Sequence, residues 1–274
     1  MEEKSAYLTD TFPVHFVHLD RITIVGNLNR SNDFFSKWSL NNIDLKEQSL
    51  AKLPYRYQYV SHAGYLVQLK EPTFDIPDVR IEFNPTKLTW SPSLDALLVA
   101  LKGARFTRVD FAIDYEIDLS GYCSQTTVPK KRNIYYSRSG SPETTTIGIK
   151  GDKYRIYDKA LEQRLSGTLW RIENEVHLGP GDSIFKEQPF SDLTIYNPRF
   201  HDLPDFKDRA ALYYLTHNPS EWGNLSRRLK SRYRELLRQS DQIHYLWPDP
   251  YQLFLAQKDR LHQELRSYLL ESGG

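Results

Sequence analysis

Cysteine is almost absent from this chain: Cys123 stands alone, and there is a single methionine. Neither an internal disulfide nor a cysteine zinc site can form within one chain, so a reducing cytoplasm is the expected compartment. No apolar run reaches membrane-spanning length, and the start Met1-Glu2-Glu3-Lys4 is not that of a signal peptide, so no membrane partner is expected. A glycine-rich phosphate loop closing on Lys-Ser or Lys-Thr is missing, which argues against an ATP-driven motor. No His-hydrophobic-His triplet occurs, and His15 and His18 are too far apart to make one. Net charge is nearly absent as well, at +1, and neither supports nor excludes a nucleic-acid partner. What remains is a 274-residue chain, 39% hydrophobic and 13% aromatic, enough for one large folded domain or two closely packed ones.

From Arg21 to about Leu178 the local signals are mostly those of β-structure. Strands are expected at 21–25, 55–60, 64–69 and 79–83, with turns at Pro72 and Pro77. Ser91-Pro92 opens a helix through Leu94, Leu97, Leu98 and Leu101, with Gly103 as its stop. Residues 120–146 read as a loop and a further hairpin around Asn133-Ile134-Tyr135-Tyr136. The order of strands, helix, and strands again hints at two related β layers, without a residue-level repeat. Beyond Gly179-Pro180-Gly181 the spacing becomes helical, at 204–217, 219–240 and 249–271. The expected fold class is α+β, with curved antiparallel β-sheets carrying the active site. Residues 1–180 form the β-rich catalytic region and residues 181–274 a helical region for DNA recognition or dimer contacts.

Three strands each turn a charged face to one side. In Arg108-Val109-Asp110-Phe111-Ala112-Ile113-Asp114-Tyr115-Glu116 the alternation puts Arg108, Asp110, Asp114 and Glu116 opposite Val109, Phe111, Ile113 and Tyr115. Lys153, Arg155 and Tyr157 share a face, with Tyr154 and Ile156 behind them. Arg171, Glu173, Glu175 and His177 share another, backed by Trp170, Ile172 and Val176. Two strands with carboxylates at i and i+2 are unusual, because acidic residues are depleted in strands. Asp110, Asp114, Glu173 and Glu175 are therefore candidate ligands for Mg²⁺ or Mn²⁺, a hard cation that prefers oxygen and leaves positions for water and phosphate. Tyr157 is a candidate nucleophile: an ordinary phenol titrates near pH 10 and needs positive charge or a metal beside it. Arg155, Lys153 and Lys159 would steady the phosphate, with Arg108 and Arg171 on neighbouring strands also facing DNA. The bland alternative is a solvated sheet face with cross-strand ion pairs of little energetic weight. Leu225, Leu229, Tyr233, Leu236 and Leu237 mark the apolar stripe of a helix whose other faces carry Arg227, Arg228, Lys230, Arg232, Arg234 and Arg238. Arginines at that density favour phosphate, or guanine in the major groove. The stretch His262 to Tyr268 only superficially matches a tyrosine recombinase and reads as amphipathic helix.

Arg108-Val109-Asp110-Phe111-Ala112-Ile113-Asp114, then Arg155-Ile156-Tyr157-Asp158-Lys159-Ala160-Leu161-Glu162, then Trp170-Arg171-Ile172-Glu173 form an ordered series. It resembles the Rep_trans family, which comprises initiators of rolling-circle replication in small plasmids of Gram-positive bacteria and relaxases related to them. By motif the resemblance spans roughly residues 100 to 180. It implies that Tyr157 nicks one strand at a double-strand origin, takes the 5′-phosphate in a covalent link, and leaves a 3′-hydroxyl primer. It also implies double-stranded and single-stranded origin DNA as substrates, a host helicase as partner, a homodimer, and metal ligands drawn from the four carboxylates. The Gly-Ser-Arg turn common in that family is replaced here by Gly148-Ile149-Lys150-Gly151-Asp152, so that turn's DNA contacts do not carry over. Two alternatives share the same residues: a relaxase of an integrative or conjugative element, and a non-catalytic origin-binding protein.

Overall fold

The computed structural model describes residues 15–28, 45–48, 54–70, 74–138, 140, 142–198, 203, 205–239 and 243–269. The expected turn at Pro72, and the ends of the expected helices at 204, 240 and 270–271, lie outside these residues. The centre of the molecule is a ten-stranded antiparallel sheet in the order β2-β3-β4-β5-β1-β6-β11-β10-β9-β8. Its strands are β1 (Val17–Leu28), β2 (Leu45–Gln48), β3 (Tyr55–Ser61), β4 (Tyr65–Lys70), β5 (Val79–Phe83) and β6 (Leu101–Tyr115). The second half is completed by β8 (Arg132–Tyr136), β9 (Pro142–Ile149), β10 (Asp152–Asp158) and β11 (Trp170–His177). Each half is a meander that starts at an edge and runs inward until its last strand meets a long central one, β5 beside β1 and β11 beside β6.

The alternation seen in the sequence sorts the two faces. Ile22, Ile24, Val67, Ile81, Val109, Phe111, Ile113, Tyr154, Ile156 and Ile172 are buried on one face. The helices α1 (Pro92–Ala100) and α5 (Pro250–Tyr268) contribute to that core through Leu94, Leu97 and Leu98 and through Phe254, Leu261 and Leu265. Phe254 meets the Phe111 ring edge-on at 5.7 Å, and the Tyr115 hydroxyl donates to the Pro248 carbonyl at 2.9 Å. Aromatic contacts of that geometry add stabilisation beyond their buried area. The charged face of the sheet is the opposite one.

Helix α1 begins where expected: the Ser91 side chain accepts from the Leu94 N–H, and Pro92 opens the first turn. It ends earlier than Gly103. Leu101 is buried and already pairs with Leu28 of β1, so the long central pairing draws residues 101–103 into β6. Gly103 instead supplies a positive φ of 61° within that strand. The 181–274 region is mixed rather than wholly helical. Beside α3 (Phe206–His217), α4 (Arg227–Gln239) and α5 it holds β12 (Leu193–Pro198) and β13 (Ile243–Tyr245). These join β7 (Cys123–Thr126) in a three-stranded sheet, so pairing runs across residue 180. Cys123 lies buried there, its thiol pushed up to about 12 chiefly by burial. No described helix is long and apolar enough to cross a membrane.

Candidate active site

Register brings the three charged strand faces together on β6, β11 and β10. Glu175 stands opposite Asp110, and Arg171 opposite Asp114. Lys153, Arg155 and Tyr157 stand opposite Glu175, Glu173 and Arg171. The side chains then resolve into three clusters along the face.

Tyr157 and Glu173 form the middle cluster. The Tyr157 hydroxyl donates to Glu173 Oε1 at 2.5 Å, and Arg155 donates to the other carboxylate oxygen at 3.0 Å. Asp158 ends β10 and caps the short helix α2 (Lys159–Gln163), accepting from the Leu161 N–H at 2.8 Å. That turn folds Lys159 back so that Nζ lies 3.3 Å from the Tyr157 oxygen and bonds Glu162 on its other side. Arg155 and Lys159 both lie over the tyrosine ring, at 4.8 and 5.5 Å from its centre. The alternation correctly places Tyr157 on the charged face, but the residue is only 4% exposed, roofed by the two cations. Burial, and next the Glu173 charge, push its hydroxyl well above the ordinary tyrosine value. Burial also raises Glu173, outweighing the Tyr157 hydrogen bond and Arg155. The phenol is thus held neutral against a carboxylate of enhanced basicity, and the phenol is not a standing phenolate.

Asp110 and Glu175 form the second cluster. Arg108 grips Asp110 through two bonds of 2.7 and 2.5 Å and reaches Glu175 at 3.1 Å. Lys153 reaches Glu175 at 3.0 Å and the Gly151 N–H donates to it at 3.1 Å. Burial raises the Asp110 carboxyl despite Arg108, and the Glu175 charge adds to that. Burial works to raise Glu175 too, but Lys153, Gly151 and Arg108 outweigh it and leave the group below its ordinary value. His177 lies 3.1 Å from Glu175, its imidazole pKa lowered mainly by burial.

Asp114 belongs to neither cluster. Arg171 forks onto it at 2.6 and 2.7 Å and extends its third nitrogen to Asp20 at 2.7 Å. Removing that guanidinium leaves two partly buried carboxylates facing each other. Arg171→Ala is expected to lower unfolding stability by about 2 kcal/mol, a value below that for fully buried pairs because Asp20 and Asp114 keep some solvent. Urea denaturation followed by fluorescence measures it.

The four carboxylates therefore do not converge on one point, and among the described residues no group of three or more His, Cys, Asp or Glu is placed to hold a metal ion. One pair does fit a smaller demand. Asp110 and Glu175 are cross-strand neighbours that repel each other, and Mg²⁺ commonly takes one or two protein carboxylates, with water and substrate phosphate completing its shell. Arg108 would give way to such an ion.

A groove of about 510 Å³ opens over this face. Arg108, Asp110, Arg155 and Glu173 line one side of it, and Asp20, Arg21, Glu82 and Lys87 the other. The sequence reading missed the second set. Their signal was present in the alternation of Arg21-Ile22-Thr23-Ile24 and of Arg80-Ile81-Glu82, but no motif marked it.

The arginine-rich segment forms α4 and stands apart from the groove residues. Tyr233, Leu236 and Leu237 pack it against Leu203 and Leu212. Arg227, Arg228 and Arg234 are exposed; Arg232 is paired with Asp208 at 2.6 Å, and Lys230 donates to the Gly223 carbonyl. The side chain of Arg238 lies outside the described residues.

No protein-family model matches the chain. A replication initiation protein of Staphylococcus aureus is 35% identical over 251 residues, covering 83% of this chain and 76% of its own length. Two others from the same organism are 32% identical, over 235 and 257 residues, covering 80% and 85% of this chain and 74% and 79% of themselves. A rolling-circle replication initiator protein from Geobacillus stearothermophilus, of known structure, matches with a TM-score of 0.42 and 12% identity over 60% of this chain and 75% of that one. A likeness that loose carries no argument.

Proposed function

The chain belongs to the family of replication initiation proteins, and on that footing we propose that it starts rolling-circle replication of a plasmid by nicking one origin strand through Tyr157. The observation that carries the reading is the hydrogen bond from the Tyr157 hydroxyl to Glu173, beneath two cations. A neutral phenol is a poor nucleophile, so its proton must leave as it attacks, and Glu173 is the base in contact with it. The tyrosine oxygen bonds to phosphorus, the bond from phosphorus to the 3′ oxygen breaks, and the phenolic proton passes to Glu173. The 3′ oxygen departs as a hydroxyl after taking a proton from water, and becomes the primer. In the reverse step Glu173 returns its proton to the leaving phenol, which makes the link resealable without ATP. Arg155 holds the glutamate in place, and Lys159 offsets charge developing on the phenolic oxygen. Asp110 and Glu175 would hold Mg²⁺ or Mn²⁺. Such an ion, when bound, neutralises charge on the scissile phosphate.

The motif order resembles that of the Rep_trans initiators, and a homodimer, a host helicase and a cytoplasmic site of action are parts of the same proposal. Helix α4 would recognise duplex origin DNA through Arg227, Arg228 and Arg234. Changing these three to Gln is expected to weaken binding of an origin duplex and to lower the slope of log K against log salt by about 0.9 for each phosphate no longer neutralised. Filter binding at several salt concentrations reads this, and an unchanged slope would assign duplex recognition elsewhere.

The test of the function is incubation of the protein with negatively supercoiled plasmid carrying its native replicon, with and without Mg²⁺, followed by denaturing electrophoresis. Open circles with protein linked to a 5′ end are the expected product. Specific binding without any linked product would support the origin-binding alternative instead.

A further inference from the structure

The two halves of the large sheet repeat one design at the level of cross-strand pairs. In the second half Tyr157 faces Arg171 and Arg155 faces Glu173. In the first, Gln68 faces Arg80 and Leu66 faces Glu82. The next strand inward keeps step, with Glu173 opposite Ala112 and Glu82 opposite Thr23. At the centre Arg21 pairs with Asp110, so a half-turn that exchanges the halves exchanges these two residues.

With register as guide, the sequences align. Tyr65-Leu66-Val67-Gln68-Leu69-Lys70 stands where Tyr154-Arg155-Ile156-Tyr157-Asp158-Lys159 stands, and Val79-Arg80-Ile81-Glu82 where Trp170-Arg171-Ile172-Glu173 stands. The first tyrosine of each strand is buried in the core, and Arg-Ile-Glu is common to both halves.

The differences have a direction. The nucleophile's position holds Gln68, and Val25 stands where Asp114 stands. Arg80 therefore lacks the aspartate fork of Arg171; it donates to Gln68 at 2.5 Å and pairs with Glu82. Arg21, in the place of Asp110, also pairs with Glu82, at 2.7 Å. Two guanidiniums thus share Glu82, because Asp20 of the same half pairs with Arg171 instead, where the other half sets Asp110, Asp114, Glu173 and Glu175 among its cations. Arg21, Glu82 and Lys87 line the same groove as Arg155 and Glu173. Five strand spacings separate Gln68 from Tyr157, roughly 24 Å, a distance that several nucleotides of one strand can span.

We propose that the first half is a degenerate copy of the strand-cutting site, kept as a phosphodiester-binding subsite in which Arg21 and Arg80 hold the same DNA strand that Tyr157 cuts. The proposal rests on the nicking function above. Arg21 lines the groove that also holds Arg155 and Glu173, and the substrate of that function is a single polyanionic strand, so the occupant follows from the arginine's charge and from continuity with the active site.

The test uses full-length protein carrying Tyr157→Phe, so that no covalent link forms, and a fluorescently labelled single-stranded oligonucleotide of the origin. Anisotropy titrations are run at several salt concentrations. Arg21→Gln with Arg80→Gln is expected to weaken binding at least tenfold and to lower the salt slope by about 1.4, or 0.7 per phosphate contact. Gln68→Glu adds a negative charge without removing an ion pair and should weaken binding in the same direction. Glu82→Gln should tighten it, an opposite sign that a purely structural role does not produce. Affinities and slopes unchanged in Gln68→Glu and Glu82→Gln would overturn the subsite, even if the double arginine variant failed to fold. Wild-type protein that binds this oligonucleotide but never forms an adduct would sink the nicking function and leave the subsite standing.

Discussion

Tyr157→Phe is expected to abolish adduct formation, lowering the nicking rate by at least about 10⁴-fold, the scale seen when a nucleophile is removed. The substitution takes away only the oxygen. The ring stays under Arg155 and Lys159, and Lys159 loses its 3.3 Å bond to the phenolic oxygen but keeps Glu162. Glu173 loses the 2.5 Å hydrogen bond but keeps Arg155, so the loss of stability should be near 1 kcal/mol. Duplex origin binding, assigned to α4, should be unchanged. Together these outcomes separate lost chemistry from lost folding. The rate is read by denaturing electrophoresis of labelled plasmid and the fold by thermal melting.

Glu173→Gln should lower the single-turnover nicking rate by about 10²- to 10⁴-fold, the usual contribution of a positioned general base. Gln can still accept the tyrosine's hydrogen bond but cannot take its proton. The pH dependence gives the sharper signature. Burial raises the Glu173 carboxyl above the ordinary glutamate value, so the group is protonated, and idle as a base, at pH values where a solvent-exposed glutamate is ionised. Wild-type nicking should therefore fall as pH drops through that raised value, and the limb should vanish in Glu173→Gln. A limb that persists unchanged in the variant would assign the base elsewhere.

Much of this site was legible in the alternation of charged and apolar residues, because a strand has only two faces and Val109, Phe111 and Ile113 claim one of them. The antiparallel fold class and the shared face of Asp110, Glu173, Glu175 and Tyr157 follow from that. What alternation cannot supply is pairing. Four carboxylates on one face read as a single ligand set, yet Arg171 draws Asp114 into a fork with Asp20, and Arg108 joins Asp110 to Glu175. The burial of Tyr157 was equally hidden, since it depends on Asp158 capping a helix that swings Lys159 over the ring. The strand-strand-strand-helix order hinted at two related layers, but residue-level similarity was masked where Leu66 and Gln68 replace the charged and phenolic groups of β10. Once register fixes which residues face each other, Arg80-Ile81-Glu82 and Arg171-Ile172-Glu173 fall into the same places. The strands of the 181–274 region, β12 and β13, are short and pair only with distant segments, so helical spacing around them dominated the reading.

The central claim is that Tyr157 carries the cut strand. Wild-type protein allowed to react with a single-stranded origin oligonucleotide in the presence of Mg²⁺, trimmed with nuclease, digested with trypsin and sequenced by tandem mass spectrometry tests it most directly. The account predicts a nucleotide 5′-phosphate on Tyr157, in the peptide that begins at Ile156. The same modification on any of the other seventeen tyrosines, with Tyr157 bare, would contradict it.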